Sequence, residues 1–168
     1  MIVRQLRVQD AAAFRAFVDR LSPESRYARF QYVVKEVSPE LLRRLVVADP
    51  RSHVALAAFQ DSELVGEARY VCQGESAEFA LAVADGWRRR GLARRLLDHL
   101  LGRARRQGLR RLEGEVLASN EAMLEFVART GFRLRPHEED GRLVRAQIAV
   151  QPQPGSAENR GQGPISGG

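Results

Sequence analysis

Residues 85–97 read DGWRRRGLARRLL. Three arginines run into Gly91, and beyond it Leu92, Leu96, Leu97, Leu100 and Ala104 fall on one helical stripe. The spacing predicts a helix near 91–107 that docks on a sheet through its leucine face. Its first turn then lies at the end of the preceding strand, where open α/β sheets bind ligands. The first amides of a helix lack partners within it and carry partial positive charge. Arg88, Arg89, Arg90, Gly91, Leu92 and Ala93 thus form one of two things: a solvated glycine turn, or a cradle whose amides and guanidinium groups converge on a phosphate. Gly91 leaves room for close approach, and Ala93 adds little bulk. Short glycine motifs match by chance often enough that the pattern alone leaves both open.

Upstream, alternation over residues 2–8 predicts a first strand. Asp10 is positioned to cap a helix through about Arg20, with Phe14, Phe17 and Val18 along one side. Ser22-Pro23-Glu24 and Ser38-Pro39-Glu40 each restart a helix, with proline at its favoured first position. Strands follow near 53–59 and 63–71, joined by the turn Gln60-Asp61-Ser62, and a third near 77–84. After the helix near 91–107 come a strand near 110–117 and a helix near 120–130. Short strands near 132–135 and 142–150 close the chain around Asp140-Gly141. This order predicts an α/β (α+β) fold, one domain over residues 1–150 with helices packed on a mixed, mostly antiparallel sheet. Residues 151–168, QPQPGSAENRGQGPISGG, carry a single large apolar residue and are expected to form a disordered tail.

The totals narrow the function classes. The chain has 168 residues, 44% hydrophobic and 29% charged, ordinary for a globular protein. No apolar run approaches the roughly 18–20 residues of a membrane span, and MIVRQLRVQD lacks a secretory core. The single cysteine, Cys72, cannot form an internal disulfide, which fits a reducing cytoplasm. Of 27 basic residues Lys35 is the one lysine, and ten arginines crowd into residues 88–111. Few aromatics are interleaved to stack bases, so nucleic acid is a disfavoured partner. His53 and His137 lack metal-ligand spacing, and no metal is expected.

Two signatures now go beyond composition. VADGWRRRGLARRLLDHLL (83–101) resembles motif A of the GNAT superfamily of N-acetyltransferases, with Arg88-Arg89-Arg90-Gly91-Leu92-Ala93 at its pyrophosphate loop. SNEAMLEFVARTGFRL (119–134) resembles that family's second signature through Asn120, Gly131 and Phe132. A narrower likeness runs through LSPESRYARF (21–30), AEFALAV (77–83) and EGEVLASNEAML (113–124), which look like the acetyltransferase domain of bacterial protein lysine acetyltransferases. Those enzymes modify acyl-CoA synthetases. The resemblance implies acetyl-CoA as cosubstrate and an amine as acceptor, preferably a protein lysine. A small-molecule amine is the alternative acceptor, and a non-catalytic acyl-CoA sensor the alternative class. Regulation of the kind fused to such domains is expected to be missing or supplied by another chain.

Acetyl transfer to an amine needs a base for a proton held near pKa 10, polarisation of the thioester carbonyl, and positioning of both substrates. Alternation over 77–84 puts Glu78, Ala80, Ala82 and Ala84 on one face and Phe79, Leu81 and Val83 on the other. One acid on an alanine face makes a shallow trough, and partial desolvation there would raise the carboxyl toward a useful range. The residue pattern alone leaves two readings of Glu78 open, that base and a solvated charge near a strand end, and favours the second. The resemblance makes it the general base, because the glutamate of the matching Ala-Glu-Phe triplet has that role. It likewise assigns the backbone of Leu81, Ala82 and Val83 to the pantetheine arm and gives Asn120 a ligand contact besides a helix cap. Where many family members carry a tyrosine acid seven residues after that asparagine, this sequence has Val127. Glu67 is expected to form a surface pair with Arg69, Glu113 and Glu115 to pair with neighbouring arginines, and Asp98 and His99 to face solvent.

Overall fold

The computed structural model describes residues 1–47 and 49–150; the tail expected over 151–168 lies outside them. In chain order the elements are β1 (Ile2–Gln5), α1 (Ala11–Arg20), α2 (Pro23–Phe30), α3 (Pro39–Val46), β2 (His53–Gln60), β3 (Glu63–Gln73) and β4 (Ser76–Val83). Then follow α4 (Leu92–Gln107), β5 (Arg111–Leu117), α5 (Glu121–Arg129), β6 (Arg133–Pro136) and β7 (Leu143–Ala149). The strands form one seven-stranded sheet in the order β1-β2-β3-β4-β5-β7-β6. All neighbours are antiparallel except β4 and β5. The expected architecture is the observed one.

The helix starts follow from their residues. Ser22 and Ser38 accept the amides of Ser25 and Leu41, both at 3.1 Å, and Pro23 and Pro39 occupy the first helical positions. The first strand is shorter than its alternation suggests. It ends at Gln5, because the Asp10 carboxylate takes the Arg7 amide at 2.8 Å and pairs with Arg4 at 2.7 Å, curling residues 8–10 into a 3-10 turn. Asp10 precedes α1 as expected, but its side chain makes no cap bond to that helix. Asp61 (φ 47°) and Ser62 (φ 69°) form a two-residue turn that keeps Gln60 opposite Glu63.

Each face of the sheet carries its own core. On one side Leu92, Leu96, Leu97 and Leu100 of α4 pack on Ala68, Tyr70, Phe79 and Leu81, with Val127 and Phe132. On the other, Phe14, Phe17 and Val18 of α1 pack on Ala55, Ala57, Leu64, Ala82 and Ala84. The alternation of β4 is thus confirmed: Phe79 and Leu81 face α4, and the alanines face α1 and α2.

Candidate active site

The site starts where a ladder stops. β4 and β5 pair at Ser76↔Arg111, Ala77↔Leu112 and Glu78↔Glu113, and then part. The Phe79 ring sits in the opening and packs on Phe132 at 5.1 Å between centroids. It fits because residue 114 is glycine: a Cβ there would lie 2.7 Å from the ring and 2.9 Å from the Phe79 carbonyl oxygen. On its other edge β4 stays bonded to β3, the Ala84 amide reaching the Val65 carbonyl at 2.9 Å. Antiparallel alternation then turns the peptide groups of Ala82 toward β3, and those of Leu81 and Val83 toward the gap. Of the three residues expected to offer backbone groups to a ligand, Leu81 and Val83 can do so. Ala82 cannot, because its amide and carbonyl belong to the ladder.

The gap opens into a cavity of about 670 Å³ running between α2, β4, β5, α4 and α5. One end is the turn before α4. Gly91 caps the helix at φ 76°, a left-handed conformation natural to glycine, and Arg89 is also left-handed at φ 59°. The backbone amides of residues 89–94 have no hydrogen-bond acceptor among the described residues. Arg89, Gly91, Leu92, Ala93 and Arg94 line the cavity here. Several free amides and the Arg89 guanidinium, with Arg94 paired to Asp98 nearby, give this end the chemistry to attract an anion.

The arginines of the turn divide by role. Arg88 lines the cavity but is tied to Asp85 at 3.0 Å and to the Ser25 hydroxyl at 2.5 Å, so it braces the turn against α2. Burial pushes the Asp85 carboxyl up, yet its bonds from Ser25 and the Ser22 amide, with Arg88 alongside, hold it below the usual range. Arg90 lies over the Trp87 ring at 5.0 Å and is not part of the lining. Asn120 caps α5, its Oδ1 accepting the Met123 amide at 3.2 Å, and it also lines the cavity, so both expected roles are geometrically compatible. Val127 is fully buried in the core; Phe126 faces the cavity instead, and neither can donate a proton to a leaving group.

Glu78 lines the opposite part of the cavity. It is exposed rather than partly desolvated, with Gln73 at 3.4 Å as its hydrogen-bond neighbour. The desolvation that the alanine face would give is absent, and Glu78 is the solvated charge near a strand end that its residue pattern also allowed, two residues beyond the start of β4 at Ser76.

Glu67 overturns the surface pair expected for it. Its side chain is 1% exposed and lies between Arg29 (8%) and Arg69 (6%). Arg69 Nη2 donates at 2.6 Å and Arg29 Nε at 2.5 Å. Burial pushes the Glu67 carboxyl up, but the two guanidinium groups outweigh it and hold it below the usual range. Arg69 Nη1 also donates to the Leu45 carbonyl at 2.9 Å, so the cluster joins α2, α3 and the sheet. Arg29 thereby anchors α2 as one wall of the cavity. Asp98 pairs with Arg94 at 2.9 Å on the exposed face of α4, where His99 is also exposed, as expected.

A family model described as the acetyltransferase (GNAT) family matches residues 14–132. The chain belongs to the GNAT family of acetyltransferases. The match contains α4, the open edge of β4 and Gly91. Among GNAT relatives, this chain is 35% identical over 156 residues to acetyltransferase PA5475 of Pseudomonas aeruginosa, covering 89% of this chain and 84% of that protein. It is 31% identical over 115 residues to acetyltransferase Pat of Mycolicibacterium smegmatis, covering 66% of this chain but 34% of Pat. The crystal structure of the GNAT domain of S. lividans PAT superposes with a TM-score of 0.84 at 30% identity, covering 88% of this chain and 89% of that one. Among the described residues of this GNAT chain, no helix is long and apolar enough to cross a membrane.

Proposed function

We propose that this GNAT acetyltransferase uses acetyl-CoA to acetylate an amine, and that the preferred acceptor is a lysine side chain of a protein. The carrying observation is the unpaired edge of β4, set between free amides at Gly91 and a carboxylate at Glu78 along one cavity. An elongated thioester can lie there with its diphosphate on residues 89–94 and its amide-bearing arm against Leu81 and Val83. That pose brings the acyl end toward Glu78, which takes the amine proton directly or through water. The Leu81 amide is the oxyanion donor in this reading. The likeness to Pat and to the GNAT domain of PAT supports a protein lysine.

Exposure of Glu78 is compatible with this role, since an exposed carboxylate exchanges its proton with water at once and resets for the next turnover. Incubating the protein with labelled acetyl-CoA and a bacterial lysate, followed by mass spectrometry of proteins and small amines, tests the reading. Label on lysine side chains supports it. Label confined to small amines replaces the acceptor, and thioester binding without any transfer leaves an acyl-CoA sensor.

A further inference from the structure

We propose that Glu115 receives the ammonium group of the acceptor, holding it beside Glu78. The inference rests on the reading that the acceptor is an amine. Register places the residue: Glu78 pairs with Glu113, so Glu113 and Glu115 share the face of Glu78 and of α2. Their neighbours Leu112 and Val116 point the other way, into the core under α4. Were the ladder continued, Glu115 would stand opposite Ala80, one side-chain step beyond Glu78. Of these two acids of β5, Glu115 lines the cavity; Glu113 is taken up by Gln147 at 3.1 Å and Arg111 at 3.6 Å.

The Glu115 carboxylate is held at one oxygen and open at the other. Oε1 contacts His137 Nε2 at 3.0 Å and Arg145 at 3.5 Å, while Oε2 makes no hydrogen bond among the described residues. The His137 ring is fixed in turn, because its Nδ1 accepts the amides of Glu139 at 3.2 Å and Asp140 at 3.0 Å. An accepting Nδ1 carries no proton, so the ring proton is on Nε2 and points at Glu115. A neutral donor orients the carboxylate without cancelling its charge. Arg145 is half exposed, and its attraction is screened by water. Overhead, Gln31 Nε2 donates to the Glu115 carbonyl at 2.9 Å and fixes α2 above this part of the cavity.

Two carboxylates on one face thus differ in mounting. Glu78 is exposed and loosely tethered, suited to passing a proton to water. Glu115 is fixed by side chains on two neighbouring segments and offers one free oxygen, suited to binding an ammonium donor in a set direction.

The test uses n-butylammonium, the tip of a lysine side chain, titrated into the coenzyme A-saturated protein. Carboxyl 13C resonances of glutamate are followed, assigned through bonds in the unaltered protein so that the readout survives a variant that fails to fold. The Glu115 resonance should shift saturably, and Glu115→Gln should raise the probe's Kd roughly tenfold with coenzyme A affinity unchanged. A probe that moves Glu78 while leaving Glu115 still, or an unaltered Kd in Glu115→Gln, overturns the proposal. Because binding is read without turnover, saturable binding at Glu115 with acetyl label confined to small amines would sink the protein-lysine reading and leave this one standing, whereas binding with no transfer to any amine would sink both.

Discussion

Gly114 and Phe79 meet at the point where β4 and β5 separate, and the absence of a side chain at 114 is what lets the ring occupy the fork. Gly114→Ala puts a methyl group 2.7 Å from that ring and 2.9 Å from a carbonyl oxygen, so backbone must move. The expected cost is about 1–3 kcal/mol, as for other overpacked cores. Denaturant unfolding should show the loss, and coenzyme A titration should show weakened binding because the fork is the cavity's floor. Unchanged stability would mean that Phe79 leaves the fork freely.

The Arg29–Glu67–Arg69 cluster makes a second case. Glu67→Gln leaves two buried guanidinium groups without their counter-ion and should cost about 3–5 kcal/mol. Replacing all three residues by Leu or Met of similar volume should recover much of that, since buried ion pairs and apolar packing are often equivalent in stability. Denaturant midpoints of the two variants decide it.

The same carboxylate gives a pH dependence of definite sign. Its folded pKa lies below the ordinary 4.5. Its contribution to stability is therefore fully present above about 4.5, and is lost as pH falls through the lower folded value. Asp10, lowered chiefly by its bond from Arg4, acts in the same direction. Stability measured against pH should fall more steeply below about 4.5 in the unaltered protein than in the triple apolar variant.

At the turn before α4, Gly91→Ala meets no atom within 4 Å, so its cost is conformational. Holding alanine left-handed costs about 1–2 kcal/mol. If the turn relaxes when empty, coenzyme A affinity falls by the same energy, roughly tenfold. Arg89→Ala should weaken coenzyme A more than Arg90→Ala, because Arg90 is stacked on Trp87 outside the lining. Calorimetric titration of the three variants checks the ranking.

Glu78→Gln should lower kcat by about 10²–10⁴-fold, the usual worth of a general base, with coenzyme A affinity intact. Single-turnover transfer to an identified acceptor measures it. Equal rates would remove Glu78 from the mechanism.

How far the sequence reached is clear from particular residues. The Ser-Pro-Glu starts, the leucine stripe of α4 and the alternation of β4 are local patterns, and each became the element expected. Gly91 and Asn120 were legible for the same reason, as caps with strong residue preferences. The Glu67 cluster was not, since its partner Arg29 lies 38 residues away and burial by α2 leaves no local trace. Glu115 was passed over because its orienting group, His137, is 22 residues further on. The fork at Gly114 hides similarly: a lone glycine in a strand signals close approach but not to what. Exposure of Glu78 was legible as one of two readings, since a strand expected over 77–84 already put that residue near its start, and β4 begins at Ser76.

One strand of this protein has two unlike margins. Amide protons of Ala80, Ala82 and Ala84, knitted to β3, should exchange with deuterium slowly, while those of Leu81 and Val83 exchange quickly in the empty protein. A ligand lying along the fork would act as a borrowed neighbouring strand, and the fast amides would slow to match their companions. Alternate-residue protection within a single strand would then record occupancy peptide by peptide, without any catalytic turnover.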